Sequence, residues 1–430
     1  MQHSPDRSLD EWLAWMEAHH PRQIELGLDR VAQVARQLAL DFEGVPLVTV
    51  GGTNGKGSCV AFLDAILRAA GYRVGCYTSP HLLRYNERVR IDGIPVSDEQ
   101  LCVAFAAIER ALHGVSLTYF EFGTLAALWL FQREQVQLDV VVLEVGLGGR
   151  LDAVNIIDAD VAVVTTIDLD HQDWLGNDRE SIGREKAGIF RGGRPAICVD
   201  PEPPHTVSRF AAQVGAQWLP VGAAFEFSAR ADAWDWSGAG LPHGMSYRDL
   251  PLPALPLPSA AGALAALQFL PLAIDEQAIR RGLRNASLSG RFQRVPWQGA
   301  EIALDVGHNP QAARWLAQRL AAEPRRTRAV FAMMADKDVD TVIAALQPHI
   351  AAWHIGALSG NARALDVGIL GERLARHGVA EVVSAPTIEQ AFANALQETG
   401  TGERVLVFGS FFTVAAVLAR LQREGMIDGG

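Results

Sequence analysis

The chain has 430 residues, 49% of them apolar and 20% charged, which is the composition of a two- or three-domain globular protein and excludes both a disordered chain and a staple-dependent miniprotein. The formal net charge of −11 leaves no overall positive field to hold nucleic acid or an anionic membrane, so an anionic ligand has to be captured locally. Cys59, Cys76, Cys102 and Cys198 are too scattered for a disulfide framework or a CxxC metal site, and they read as small side chains in a reducing cytoplasm.

The opening MQHSPDRSLDEW is polar and carries no basic-then-apolar signal segment. Residues 47–50 then read as a buried strand, 59–70 as a helix ending at Gly71, 74–77 as a second strand, and 98–112 and 124–134 as helices. The β-branched runs 140–145 and 161–166 have the character of central strands. Residues 197–255, with Gly, Pro and Trp turns, predict an irregular antiparallel subregion. The one long uncharged stretch, 250–274, contains Pro251, Pro253, Pro256, Pro258 and Pro271 and predicts a linker and a buried helix (260–270) rather than a membrane span. A short helix follows (276–283). After a junction at 288–297, alternation restarts: strands at 301–305, 328–333, 353–355, 381–384 and 404–408, helices at 310–322, 339–346, 388–397 and 414–422. The fold class expected is α/β, with an N-terminal P-loop-type, mostly parallel sheet domain (1–287) and a smaller C-terminal Rossmann-like domain (298–430).

Four strand ends carry chemistry. In VTVGGTNGKGS (48–58) a strand runs into a glycine-dense turn, a lysine and a helix, so that backbone N–H groups, a helix N-terminus and Lys56 could cradle a triphosphate. The segment departs from GxxxxGK[ST], because Gly57 separates Lys56 from Ser58 and Val50 stands in place of the first glycine. The bland alternative is a flexible turn. In VVVLEVGLGGRLDAVN (140–155) Glu144 lies where open sheets bind ligands, and burying it calls for a metal ion or a basic partner. Pairing with Arg150 for structure alone is the alternative. A third strand leads to Asp168, Asp170 and His171, where metal binding competes with a satisfied core histidine, and a fourth leads to Ser79 in CYTSPHL. Lys186 reads by default as a solvated helical lysine, and Arg84, Arg88 and Arg90 as a wet face or a site for an acidic substrate. DVGHNP (305–310) sets Asp305 and His308 beside Asn309, which a helix cap ahead of Pro310 explains in part.

Together GTNGKGS, TSPHLLRYNERVR, YFEFGT, LEVGLGGRLDAVN, DLDHQDWLG, REKAGIF, SGRFQ, DVGHNP and VLVFGSFFTV resemble, in order and spacing, the folate branch of the Mur ligase superfamily, the bifunctional dihydrofolate synthase/folylpolyglutamate synthases. The resemblance implies ATP-dependent amide bond formation, in which a carboxylate is phosphorylated and glutamate displaces the phosphate. It implies that Thr53, Asn54, Gly55, Lys56, Gly57 and Ser58 wrap the phosphates, that Ser79, Glu144 and His171 bind Mg²⁺, and that Lys186 is carbamylated. It further gives Arg291 and Asp305 to ATP, with His308 close by, and completes the site by domain closure. The pterin would lie near Glu25, Leu26, Phe120, Glu121, Phe122, Gly123, Leu151, Asp152 and Ala153, stacked by Phe120 or Phe122. Where the family commonly opens the Ala-rich helix with asparagine, this chain has Ser259, and only a weak nucleotide role transfers to it. The implied substrates are dihydropteroate, tetrahydrofolate and L-glutamate, taken by a cytoplasmic monomer without nucleic-acid or membrane partners, with K⁺ as a further candidate ion. The alternatives are a monofunctional folylpolyglutamate synthase, a cell-wall Mur ligase, a switch-type NTPase (for which no guanine-selecting NKxD is present) and a nucleotide-gated binding module.

Overall fold

Leu47–Gly51, buried at every position, forms β1 near the middle of an eight-stranded sheet. The computed structural model describes residues 7–22, 24–133 and 137–427, and the chain divides into two units, Met1–Ala286 and Ser287–Gly430. In the first, β1 is joined by β2 (Val74–Tyr77), β3 (Val89–Ile91), β4 (Ile94–Pro95), β5 (Val140–Glu144), β6 (Val161–Val164), β7 (Pro195–Cys198) and β8 (Gln217–Pro220), in the order β4-β3-β2-β5-β1-β6-β7-β8. Strands β2, β5, β1, β6, β7 and β8 are parallel, while β3 and β4 run antiparallel at one edge. Val, Ile and Cys fill the central strands because helices cover both faces. The chain goes from β1 to β2 on one side and reaches β6 on the other, so the strand order reverses at β1 and opens a crevice at the carboxyl ends.

The helix after β1 begins at Lys56 and runs to Ala69, three residues earlier than its apolar pattern suggests, because the glycine turn itself feeds the first turn. Tyr119–Phe131 likewise starts before position 124: Thr118 accepts from Glu121 N and Glu121 returns the bond, a capping box inside YFEFGT. The predicted end of that helix, at Glu134, lies outside the described residues. Two N-terminal helices, Leu9–His19 and Asp29–Gln37, were not read from the sequence; Trp12, Met16, Val31 and Val34 bury them in the first core.

Only part of 197–255 is irregular. β7, the helix His205–Val214 and β8 extend the parallel sheet, and the antiparallel portion is confined to β9 (Glu226–Ala229), β10 (Ala233–Ser237) and β11 (Ser246–Pro251). Trp234 and Trp236 anchor that small sheet, and Trp236 Nε1 donates to Ala261 O at 3.2 Å. Ala261 belongs to the buried helix Leu257–Leu267.

The second unit has its own six-stranded sheet: β12 (Gln293–Trp297), β13 (Ala300–Asp305), β14 (Thr327–Phe331), β15 (Ala352–Gly356), β16 (Val382–Ala385) and β17 (Arg404–Phe408), ordered β12-β13-β17-β14-β15-β16. All but β12 are parallel, so residues 293–297 of the expected junction are an edge strand of this sheet. A helix at Val367–Arg376 was missed, its apolar stripe interrupted by Gly368 and Gly371. Among the described residues no helix is long and apolar enough to cross a membrane.

Candidate active site

The glycine-rich loop is locked to the end of β6 before any ligand is considered. Thr53 N donates to Thr166 O at 2.6 Å, Thr53 Oγ1 to Asp168 O at 3.1 Å, and Asn54 N to Thr166 Oγ1 at 3.2 Å. Thr165 Oγ1 donates to Asn54 O at 2.7 Å. Gly52, at φ +141°, packs so closely on Thr165 that a Cβ there would stand 1.9 Å from its hydroxyl oxygen, and Gly55 adopts φ +87° ahead of the helix. The two threonines had no signal in the sequence beyond their place at a strand end.

Lys56 curls back over the loop, its Nζ donating to Gly52 O at 3.1 Å and Thr53 O at 3.3 Å. Gly57 and Ser58 are buried in the first helical turn, and the Ser58 hydroxyl has no hydrogen-bond partner. Ser259, in the first turn of Leu257–Leu267, donates to Gly55 O at 3.1 Å and so braces the loop backbone.

Glu144 closes β5 directly beside Val50 of β1 and is only 6% exposed. It accepts from Ser79 N at 3.2 Å, across the cis Ser79–Pro80 turn that follows β2. The alternative pairing with Arg150 is not made: Arg150 bonds Glu185 at 2.9 Å instead. Ile167 N and Arg179 both reach buried Asp200, at 2.7 and 3.2 Å, and anchor the segment that carries Asp168 and Asp170. His171 follows with a left-handed backbone (φ +52°) and a half-exposed ring, so it is no core histidine.

Lys186 departs furthest from the sequence default. It is 4% exposed on Arg179–Ala187, and burial, then repulsion from Lys56, lower its pKa to about 7, against the pull of Asp170 and Asp152. Asp152 is pushed the other way, up to about 6, by burial, although Leu147 N and Val154 N donate to it at 2.8 and 3.0 Å. The charges of Lys56, Lys186, Asp152 and Asp170 therefore act on one another although they come from four separate segments. Perturbed, mutually coupled groups at a sheet's carboxyl edge are the marks of a functional centre. The buried Glu144 carboxylate at its strand end and the orphaned Ser58 hydroxyl in the first helical turn are also oxygen donors of the kind a hard divalent cation takes.

Beside this edge, Phe120 is half-buried, covers Gly146 and lies 6.1 Å from the Tyr77 ring. Phe122 is fully buried against Trp15 and Phe105, so of the two candidate stacking rings Phe120 alone has an open face. Gly123 lies under the Tyr85 hydroxyl, and Ala153 belongs to the core. Glu121 bonds Arg30 at 2.9 Å, and Arg30 also holds Glu25 at 2.6 Å, while His20 and then Arg30 keep the Glu25 carboxyl below its ordinary range. Leu26 is partly exposed on the same loop, whose Gly27 N donates to Leu151 O at 3.4 Å. Glu25 and Glu121 thus have structural partners already.

The three arginines of 84–90 separate. Arg84 pairs with Asp98 on the surface, at 2.9 Å. Arg88 is buried between Tyr85 and Tyr119, its guanidinium carbon 5.1 and 5.5 Å from their centroids, and donates from Nε to His81 Nδ1 at 2.8 Å. Arg90 has two buried nitrogens without partners. Burial, and secondarily Arg88, hold the His81 imidazole down to about 4.

In the second unit Asp305 ends β13 and accepts from Phe292 N at 2.9 Å and Gly307 N at 2.7 Å. Burial raises its pKa against the pull of Arg291. Arg291 lies 5.3 Å over Phe411, and His308 Nδ1 contacts Val306 O at 2.9 Å. Asn309 caps Pro310–Ala322 through Ala312 N at 3.0 Å, as its place before proline suggests.

Residues 290–411 match the family description "Mur ligase, glutamate ligase domain", which gives the class: a ligase of the Mur type, with α/β sheets in both units. Over 413 residues, 95% of this chain and 94% of the relative, the sequence is 48% identical to the dihydrofolate synthase/folylpolyglutamate synthase of Escherichia coli K12, and it is 42% identical to the Haemophilus influenzae protein of the same name, over 96% and 98%. A structure of E. coli FolC in complex with DHPP and ADP superposes with a TM-score of 0.92 at 45% identity, covering 98% of this chain and 99% of that one. A Yersinia pestis bifunctional folylpolyglutamate synthase/dihydrofolate synthase complexed with AMPPNP and Mn ion gives 0.90 at 47%, covering 98% and 100%. The chain belongs to the dihydrofolate synthase/folylpolyglutamate synthase family.

Proposed function

We propose that the carboxyl edge of β1, β5 and β6 is the phosphoryl-transfer centre of an ATP-dependent ligase that joins L-glutamate to dihydropteroate and, in successive steps, to tetrahydrofolate. The observation that supports this most directly is the buried Lys186, its pKa lowered to about 7 within the field of Lys56 at the mouth of the Gly52–Ser58 loop. The positive charge of Lys56 favours a polyanion entering beside it.

In this reading residues 53–58 take the phosphates through backbone N–H groups, and Lys56 leaves its carbonyl partners to meet the γ-phosphoryl oxygens. Ser79, Glu144 and His171 would hold the divalent cation, with the orphaned Ser58 hydroxyl at hand. The cation would draw charge off the transferred phosphoryl group. The acceptor's carboxylate attacks that group and ADP leaves, giving an acyl phosphate. The glutamate amine adds to its carbonyl carbon, loses a proton and expels phosphate, leaving an amide. Phosphorylation is required because a carboxylate oxygen is otherwise a poor leaving group.

At a pKa of about 7 much of Lys186 is neutral amine near neutrality. Such an amine adds CO₂ and loses a proton, and the resulting carbamate would replace a buried cation by an anion facing Lys56. The half-exposed Phe120 face, Leu26, Leu151 and the Asp152 carboxylate are assigned to the pterin. The nucleotide roles that the family resemblance gives Arg291, Asp305 and His308 belong to the same proposal. Four free thiols fit work in the reducing cytoplasm.

The test is product analysis. Protein given Mg-ATP and glutamate should release ADP only when dihydropteroate or tetrahydrofolate is added, and mass spectrometry should find each acceptor heavier by whole glutamate residues. Brisk ADP formation without an acceptor would instead mark a hydrolytic switch.

A further inference from the structure

We propose that His81 is a further hydrogen-bond donor of this centre, presenting a fixed Nε2–H to the oxygen that stays on the acceptor's carboxyl carbon while the other oxygen is phosphorylated. This rests on the ligase reading above and adds a residue to it.

Arg88 sets the geometry at two points. Its carbonyl oxygen accepts from Thr78 N at 2.9 Å, and its Nε donates to His81 Nδ1 at 2.8 Å. Between those anchors lie Ser79 and Pro80, and Ser79 N donates to Glu144 at 3.2 Å. His81 is thus held two residues from the amide that meets the buried carboxylate. Arg88 is 8% exposed and has no carboxylate partner among the described residues; the faces of Tyr85 and Tyr119 hold it in place. The guanidinium also bonds the buried Tyr77 hydroxyl, and its Nε–H fixes the imidazole ring.

The direction of the bond fixes the tautomer. A guanidinium N–H can only donate, so His81 Nδ1 must offer its lone pair and the ring proton sits on Nε2. Among the described residues Nε2 has no hydrogen-bond partner, although the ring is only partly exposed. His81 therefore keeps its Nε2–H and offers it, which suits a donor and not a base.

The oxygen it would serve carries charge at each stage: as carboxylate, as the acyl phosphate carbonyl, and as the oxyanion formed when the amine adds. A preorganised neutral donor stabilises the last of these most, because nothing has to reorient when the charge appears. No bond at His81 is made or broken.

The test compares His81→Ala with His81→Gln in the full-length protein. The alanine variant should lose about 10²-fold in kcat, with the KM for ATP and the affinity for a non-hydrolysable ATP analogue each within threefold of the parent. The glutamine variant, which restores an N–H donor, should recover at least tenfold of that loss. A His81→Ala kcat within threefold of the parent overturns the proposal. So does glutamine performing no better than alanine, or analogue affinity falling in step with kcat, which would make His81 a mere support for the Ser79 turn. Lys56→Ala run in parallel keeps the two readings apart: full activity there would sink the ligase centre itself, whatever His81 does.

Discussion

Both units bury charged side chains, but not every buried charge meets its opposite. In the second unit Arg404 and Arg328 stand at the amino ends of β17 and β14, and each meets a carboxylate: Arg404 Nε donates to Glu301 at 2.6 Å, and Arg328 pairs with Glu403. The first unit makes matched pairs too, Glu121 with Arg30 and Asp200 with Arg179, but its buried Lys186 has another lysine as its largest electrostatic neighbour. Matched burial tends to be architecture, whereas mismatched burial is kept only where a ligand or a modification completes it.

That contrast can be broken at its strongest point by Lys56→Ala, which should lower coupled ADP and product formation by about 10²- to 10³-fold while leaving the melting temperature near the parent's. A melting loss with retained turnover would show that Lys56 is structural. The counterpart is Glu301→Ala, which takes from fully buried Arg404 the nearer of its two carboxylates and leaves it Glu323 at 3.9 Å. It should cost about 3 kcal/mol of stability, measured by denaturant unfolding, with kcat of the folded enzyme within twofold.

Lys186→Met sharpens the comparison through pH. The folded chain releases this proton near pH 7 and the unfolded chain near 10.5, so the unfolded state binds more protons between those values. The lysine's destabilisation is complete below about pH 7 and fades as pH rises toward 10.5. In CO₂-free buffer at pH 7 the methionine variant should melt about 2–4 °C higher, lack the parent's gain in stability between pH 7 and 9, and lose activity. A parent whose stability is flat over that range would refute the assignment. The smallest effect is expected from Ser259→Ala, which removes one bond to Gly55 O. It is worth about 0.5–1.5 kcal/mol, read as a KM for ATP two- to tenfold higher; an unchanged KM would free the loop from this helix.

Local pattern made the glycine-rich loop legible: a strand, glycines, a lysine and a helix lie within eleven residues. Glu144, Asp305 and the Asn309 cap were legible for the same reason, each standing at a strand end or beside a proline. What stayed hidden depended on distant partners. Nothing near Lys186 in the chain announces its burial, since Lys56 and Asp152 arrive from a distant helix start and a distant turn. Arg150 turns to Glu185, 35 residues on, rather than to the nearer Glu144. Phe120 and Phe122 look alike in YFEFGT, and only the packing of Trp15 and Phe105 decides which ring is core. Residues 205–214 were lost among Trp, Gly and Pro turns, although the parallel alternation continues through them.

The interlock of Gly52 with Thr165 has an implication for which sequences this scaffold can accept. A saturation library at position 52 should be depleted of every side chain, alanine included, because the first added carbon collides with Thr165, just past the end of β6. Purifying selection there would act on the empty protein's ability to form its loop, with no nucleotide needed to expose the defect.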